Sequence, residues 1–171
     1  KGQLAIVTDE GVTFKSHLNG DKHLFTPESS MEAQWKLGAD MIFAFDECTS
    51  PAADYDYQKS AMDRTHRWAL RSLNRVNELR KDSPSVPKEY PRFLFAVVQG
   101  GRHQDLREES AKTLGEMGFD GYGIGGSFDK EDIGSAVGWV NKILPEEKPR
   151  HLLGIGEPLD NLDASIEGSD T

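Results

Sequence analysis

Phe93-Leu94-Phe95-Ala96-Val97-Val98-Gln99-Gly100-Gly101 runs six apolar residues without a polar break and then stops on an amide and two glycines. Such an unbroken run suits a strand in a parallel sheet covered on both faces, whereas a half-exposed antiparallel strand alternates. Met41-Ile42-Phe43-Ala44-Phe45, Tyr122-Gly123-Ile124 and Leu152-Leu153-Gly154-Ile155 read the same way. Helical stretches separate them. Tyr57 to Arg80 is the clearest, because Met62, Ala69, Leu73 and Val76 share one face while Arg64, Arg67, Arg71 and Arg75 share the opposite one. His103 to Met117 and Lys130 to Leu144 are two more, and an earlier helix opens on Thr26 as N-cap and Pro27 at N1 and closes at Gly38. Repeated strand-helix units define an α/β chain with right-handed crossovers, either a doubly wound sheet or a (β/α) barrel. Periodicity alone does not choose between them.

Outward from these units, Gly11 to Leu18 and Lys22 to Thr26 flank Asn19-Gly20, a dipeptide suited to a tight turn, and predict an N-terminal β-hairpin. Asp82 to Pro91, with Pro84, Pro87 and Pro91, reads as a loop inside the domain. The 171 residues, 36% hydrophobic, suffice for one core, so one domain or part of one is expected. Lys plus Arg number 20 against 29 Asp plus Glu, a net charge of −9, which disfavours general adhesion to nucleic acid and makes any such contact local. A lone Cys48 cannot close an intrachain disulfide, and no apolar run reaches the roughly 20 residues of a membrane helix. A soluble, cytoplasmic protein is expected. Lys1 and Thr171 both read as cut ends.

Binding groups in either architecture gather where strands end and βα loops begin. Here those loops carry Asp46-Glu47-Cys48-Thr49, Gln99-Gly100-Gly101, Gly125-Gly126-Ser127 and Gly156-Glu157-Pro158. A carboxylate accepts two parallel N–H bonds and a primary amide both donates and accepts, so this set suits a flat heterocycle. Guanine fits: its N1–H and amine form a paired donor edge, and its O6 and N7 accept. Asp46 could equally cap its own loop, Gly125-Gly126 could form a phosphate-binding turn, and Cys48 reads as a small wall residue or a nucleophile. His17, His23, His66, His103 and His151 show no metal-ligand spacing, so no metal site is assigned within the chain. The arginine face of the long helix reads as a solvated outer face, with RNA phosphate contact a lesser alternative.

Ser16-His17-Leu18-Asn19-Gly20-Asp21-Lys22-His23, Phe45-Asp46-Glu47-Cys48-Thr49, Val98-Gln99-Gly100-Gly101 and Ile124-Gly125-Gly126 stand in the order seen in the tRNA-guanine transglycosylase (queuine tRNA-ribosyltransferase) family, bacterial type, which the chain resembles over nearly its whole length. Leu106-Arg107-Glu108-Glu109-Ser110 and Leu153-Gly154-Ile155-Gly156-Glu157-Pro158 extend the match. The resemblance implies that residues 1–171 are the central portion of one (β/α)8 TIM-barrel catalytic domain with an N-terminal β-hairpin. It implies an enzyme, a glycosyltransferase exchanging the wobble guanine of tRNA for 7-aminomethyl-7-deazaguanine or queuine in queuosine biosynthesis.

In that scheme Asp46 reads the amine edge of the base, Gln99 and the Gly126 N–H read its carbonyl side, Leu153 packs on its face, and Cys48 and Ser127 belong to the same substrate pocket. Gly154, Ile155, Gly156, Glu157, Pro158, Leu159 and Asp160 resemble a segment contacting tRNA near the wobble nucleotide. An aspartate nucleophile in a Phe-Asp-Cys motif is expected just after Gly168-Ser169-Asp170-Thr171, and the proton-transfer aspartate before Lys1. No catalytic residue is therefore assigned inside the chain, and this fragment alone is expected to be inactive. The family's structural zinc is expected in the full-length protein, in a downstream subdomain whose ligands lie outside this chain, and the full-length enzyme is expected to form a homodimer. Gly126-Ser127-Phe128-Asp129-Lys130 departs from the family's Gly-Gly-Leu pattern, which leaves the choice of incoming base open. Two other readings remain: a non-catalytic partner subunit, and an unrelated (β/α) barrel binding a phosphorylated metabolite at Gly125-Gly126.

Overall fold

The computed structural model describes residues 5–82, 92–125, 128, 130–154 and 157–171, arranged as a mixed α/β chain with two sheets. The larger sheet is parallel and in chain order: β4 (Met41–Phe43), β5 (Phe93–Val98), β6 (Gly121–Ile124) and β7 (Arg150–Leu152). Before it stands a three-stranded antiparallel sheet of β1 (Ala5–Val7), β2 (Val12–Lys15) and β3 (Lys22–Phe25). Helices α1 (Pro27–Leu37), α2 (Tyr55–Asp82), α3 (Gln104–Gly115), α4 (Ile133–Asn141) and α5 (Pro158–Ile166) pack in succession, each against the next.

Alternation along β5 sorts the two faces of the parallel sheet. Leu94, Ala96 and Val98 join Ile42, Tyr122, Ile124 and Leu152 in the core shared with the helices. Phe95, Val97 and Phe43 point the other way, with the Phe43 ring 5.3 Å from Phe95 and 5.7 Å from His151. Gly121 and Gly123 lie opposite them for lack of space: a Cβ at Gly121 would meet the Phe95 ring at 2.5 Å and one at Gly123 would meet Leu153 at 2.7 Å. This second face is only partly covered, since Met41 and Phe93 at its lower edge remain exposed. The expectation of full cover on both faces does not hold for the described residues. Beyond β7 the chain end returns beside it: Leu152 N–H donates to Thr171 O at 2.8 Å and Thr171 N–H to Arg150 O at 3.4 Å, the pattern of a further parallel neighbour.

Thr26 caps α1 in a reciprocal capping box with Ser29, Pro27 occupies its first turn, and Gly38 ends it at φ 81°. The hairpin differs in two ways. Only Gly20 has positive φ, and the connection is a loop closed by Ser16 N–H on Asp21 O and Gly20 N–H on Ser16 O, so Asn19-Gly20 is not a two-residue turn. A third strand, β1, then pairs with β2.

Strand ends also moved. The strand expected over 152–155 is Arg150–Leu152, shifted toward the N-terminus; Arg150 is buried because its guanidinium donates to Leu144 O and Gly168 O, and Gly154 at φ 77° turns the chain away. The strand expected over 41–45 stops at Phe43, since the Phe45 N–H turns to the Ser72 hydroxyl of α2. The helix expected over 130–144 is a 3-10 turn, Lys130–Asp132, leading into α4, and α5 carried no helical expectation. The 82–91 loop, apart from Asp82, lies outside the described residues.

Candidate functional site

Three features of the loop after β4 place Asp46. Gln34 of α1 grips Phe43 through both its N–H and its carbonyl at 3.0 Å, the Phe45 N–H rests on Ser72 at 3.2 Å, and the Glu47 N–H rests on the Thr65 hydroxyl at 3.0 Å. With backbone anchors on both sides, the Asp46 carboxylate is turned toward Gln99. The Gln99 Nε2 donates to Asp46 Oδ2 at 2.6 Å, and Gln99 Oε1 is buried without a partner among the described residues. An amide with one such atom has bonding capacity for a ligand donor.

The two side chains form one wall of a cleft of about 330 Å3 completed by Cys48, Val97, Gly125, Phe128, Leu153 and Gly154. All four strand ends thus contribute, the last through Leu153 and Gly154, which were read as strand residues, rather than through Gly156-Glu157-Pro158. Burial pushes the Asp46 carboxyl above its ordinary value of 3.8; the Gln99 bond pulls it down and the neighbouring Glu47 charge pushes it up. No arginine or lysine among the described residues pairs with it. A cleft of this size lined by a carboxylate without a cationic partner and by an amide has room for a small planar ring with an N–H edge.

Glu47, next in sequence, has a different role. It is buried, ion-paired with Arg64, and accepts the Tyr57 hydroxyl at 2.6 Å, which removes it from the cleft. Cys48 is exposed at the cleft mouth, its thiol 3.9 Å from Thr49 O. Gly126, Ser127, Ile155 and Gly156 lie outside the described residues. Glu157, Pro158 and Leu159 are exposed and Asp160 is half-buried; Pro158, Leu159 and Asp160 form the first turn of α5, with Glu157 just before it and Gly154 at the cleft.

Gly100 and Gly101 answer to packing behind the loop. A Cβ on Gly100 (φ 127°) would stand 2.8 Å from the Arg107 backbone nitrogen, and one on Gly101 (φ 57°) 2.8 Å from the Gln58 amide. Their absence of side chains lets the loop after β5 pack against α3 and α2.

The arginines of α2 form a partly exposed outer face on which each is engaged in an ion pair. Arg64 and Arg67 pair with Asp9, Arg71 with Glu28 and Glu10, and Arg75 with Glu32 and Glu78, which fastens α2 to α1 and to the β1–β2 turn. Each of these arginines thus already has a carboxylate partner within the chain.

Two functional-looking residues escaped sequence reasoning as individuals. Arg107 is fully buried behind the cleft, and Ser110 receives the Gln99 N–H at 3.4 Å while meeting His66 Nε2 at 3.0 Å. Burial holds His66 below its ordinary value, so it stays neutral at neutral pH. The signal was a cation and a hydroxyl one helical turn apart on the face of α3 that meets the sheet. No group of three or more His, Cys, Asp or Glu residues placed to hold a metal occurs among the described residues, and no described helix is long and apolar enough to cross a membrane.

Comparison with known proteins gives a consistent result. A family model described as "Queuine tRNA-ribosyltransferase" matches residues 2–171. A protein of Archaeoglobus fulgidus named "Putative queuine tRNA-ribosyltransferase" is 48% identical over 98% of this chain and 39% of its own length. Proteins named "Queuine tRNA-ribosyltransferase" from Actinobacillus pleuropneumoniae and Ruminiclostridium cellulolyticum are 41% and 43% identical over 99% and 96% of this chain, and 43% and 42% of their own lengths. The chain spans about two fifths of the length of these relatives.

Proposed function

Because the chain belongs to the queuine tRNA-ribosyltransferase family, we propose that it is the base-reading portion of a tRNA-guanine transglycosylase, which exchanges the wobble guanine of tRNA for 7-aminomethyl-7-deazaguanine or queuine. The observation that carries this reading is the Asp46–Gln99 pair, a half-buried carboxylate bonded at 2.6 Å to a buried amide on the wall of the cleft. Asp46 accepts the N1–H and amine of guanine as a paired edge, and one Gln99 amide N–H, with the Gly126 N–H, meets O6. Leu153 packs on the ring face, and Cys48 and Ser127 are assigned to the same substrate pocket. Gly154 to Asp160 approaches the tRNA backbone at the same rim.

Residues 1–171 then form the central portion of a (β/α)8 barrel. The chain-order parallel sheet, the successive helices and the pairing of Thr171 beside β7 favour a barrel over a doubly wound sheet, whose strand order reverses. The nucleophilic carboxylate sits on the next strand and attacks the ribose anomeric carbon as guanine leaves; the incoming base then displaces the enzyme. A second aspartate, on an earlier strand, moves protons. In this reading the family's structural zinc belongs to a separate downstream subdomain. A cytoplasmic homodimer completes the proposal.

Incorporation of radiolabelled guanine into tRNA by the full-length protein tests it, with residues 1–171 assayed alongside. Exchange by the full-length protein and none by the segment is expected; exchange by the segment would place the nucleophile at Asp46 or Glu47 and overturn the division of roles. A partner-subunit role would instead show as guanine binding without exchange in the full-length protein.

A further inference from the structure

We propose that Arg107 is a positioning residue for base selection: by bonding the carbonyls of both Gly101 and Gly125, it sets the spacing between the two loops that hold the base-reading groups. The inference rests on the base-site reading above. Arg107 Nε donates to Gly101 O at 2.6 Å and its Nη2 to Gly125 O at 2.9 Å. Its guanidinium also lies 4.6 Å above the ring of Phe128, which lines the cleft. A single planar group thereby ties the loop after β5, the loop after β6 and one wall of the cleft.

The residue is fully buried, and none of the ion pairs among the described residues includes it. Burying an unpaired cation is costly, and a leucine or methionine would fill the space at no such cost. What an apolar side chain cannot do is hold two carbonyls on separate strands at a set distance, and lysine lacks the flat fork that reaches both. Desolvation pulls its ionisation down to about 10, which still leaves it charged at neutral pH. The neighbouring geometry confirms the tight fit, since a Cβ on Gly100 would strike the Arg107 backbone at 2.8 Å.

One helical turn on, Ser110 accepts the Gln99 N–H at 3.4 Å and is itself held by His66 at 3.0 Å. The Leu106-to-Ser110 turn thus grips the backbone of Gln99, Gly101 and Gly125 from behind while the cleft side stays open. A shift of one loop against the other changes where Gly125 and the Phe128 ring stand relative to the Gln99 amide. Discrimination between a carbonyl and an amine on the base depends on that separation.

The test is calorimetric binding of guanine and of adenine to the full-length protein and its Arg107→Lys and Asp46→Asn variants, with thermal unfolding of each. A folded Arg107→Lys protein is expected to bind guanine roughly tenfold more weakly and to lose part of its preference over adenine, as loss of a charge-assisted bond predicts. In base exchange, KM for the free base should rise more than kcat falls. Wild-type affinity and preference in folded Arg107→Lys, with Asp46→Asn weakened, would overturn the positioning role alone. Wild-type affinity in Asp46→Asn would overturn the base-site reading as well. Should Arg107→Lys fail to fold, Phe128→Leu decides: a smaller loss of guanine preference supports the role, and an unchanged preference overturns it.

Discussion

The outer side of α2 and the rim of the parallel sheet treat charge in opposite ways. On α2, Arg64, Arg67, Arg71 and Arg75 each meet a carboxylate, and even the buried Glu47 has both Arg64 and the Tyr57 hydroxyl. At the rim, Asp46 is desolvated with the Gln99 amide and a backbone N–H but no cation, and Gln99 Oε1 has no partner among the described residues; behind it Arg107 is buried on backbone carbonyls. Matched charges hold helices in place. Unmatched ones cost stability, and such groups gather at functional sites. Asp46 and Glu47 make the contrast sharpest, because they are neighbours in the chain and face different regions.

The largest effect expected from this contrast is on Glu47. Arg64→Met leaves that carboxylate buried without its cation and should cost about 3 kcal/mol in urea unfolding; a cost near zero would show that the pair carries no weight. Asp46→Asn should have the opposite sign for stability. Its carboxyl is raised by burial, so it favours the folded state when protonated and disfavours it as pH rises through the raised value. At neutral pH the amide should therefore leave thermal stability unchanged or higher, while guanine binding weakens by about 1.5 to 3 kcal/mol, and by more than in Cys48→Ala.

The same raised ionisation predicts a pH dependence of binding. As pH falls through it, Asp46 takes up a proton and guanine affinity should drop, beginning above the ordinary carboxylate value of 3.8. A titration by calorimetry checks this, and a drop of the same shape in Asp46→Asn would remove Asp46 as its source. Glycines at the rim give a smaller, graded effect. Gly100→Ala meets backbone at 2.8 Å and should destabilise by about 2 kcal/mol, whereas Gly154→Ala, at φ 77° with open space around it, should cost only about 1 kcal/mol of backbone strain. Smallest is the half-exposed pair of Arg71 and Glu28, where Arg71→Met should change stability by less than about 1 kcal/mol.

Local chemistry was enough to determine much of this protein. Thr26, Pro27 and Gly38 mark the ends of α1 because capping is decided within a few residues, and the β5 run Phe93–Val98 is legible because burial demands uninterrupted apolar side chains. Asp46 and Gln99 were legible as rim residues because βα loops of such sheets converge, whereas Leu153 entered only through the family resemblance carried by the ordered motifs. Partners brought together across long sequence separations were not legible. The arginine row of α2 looks solvated until Asp9, Glu28 and Glu32 are folded against it, and Arg150 looks like a strand flank until Leu144 and Gly168 offer carbonyls. Arg107 reads as one charge in a helix, yet its role is set by Gly101 and Gly125, carbonyls supplied by two different strand ends. Short-range preferences act on a residue through its own neighbours, so the sequence determined them; the compensation of a buried charge depends on distant groups meeting, and only the tertiary structure decided it.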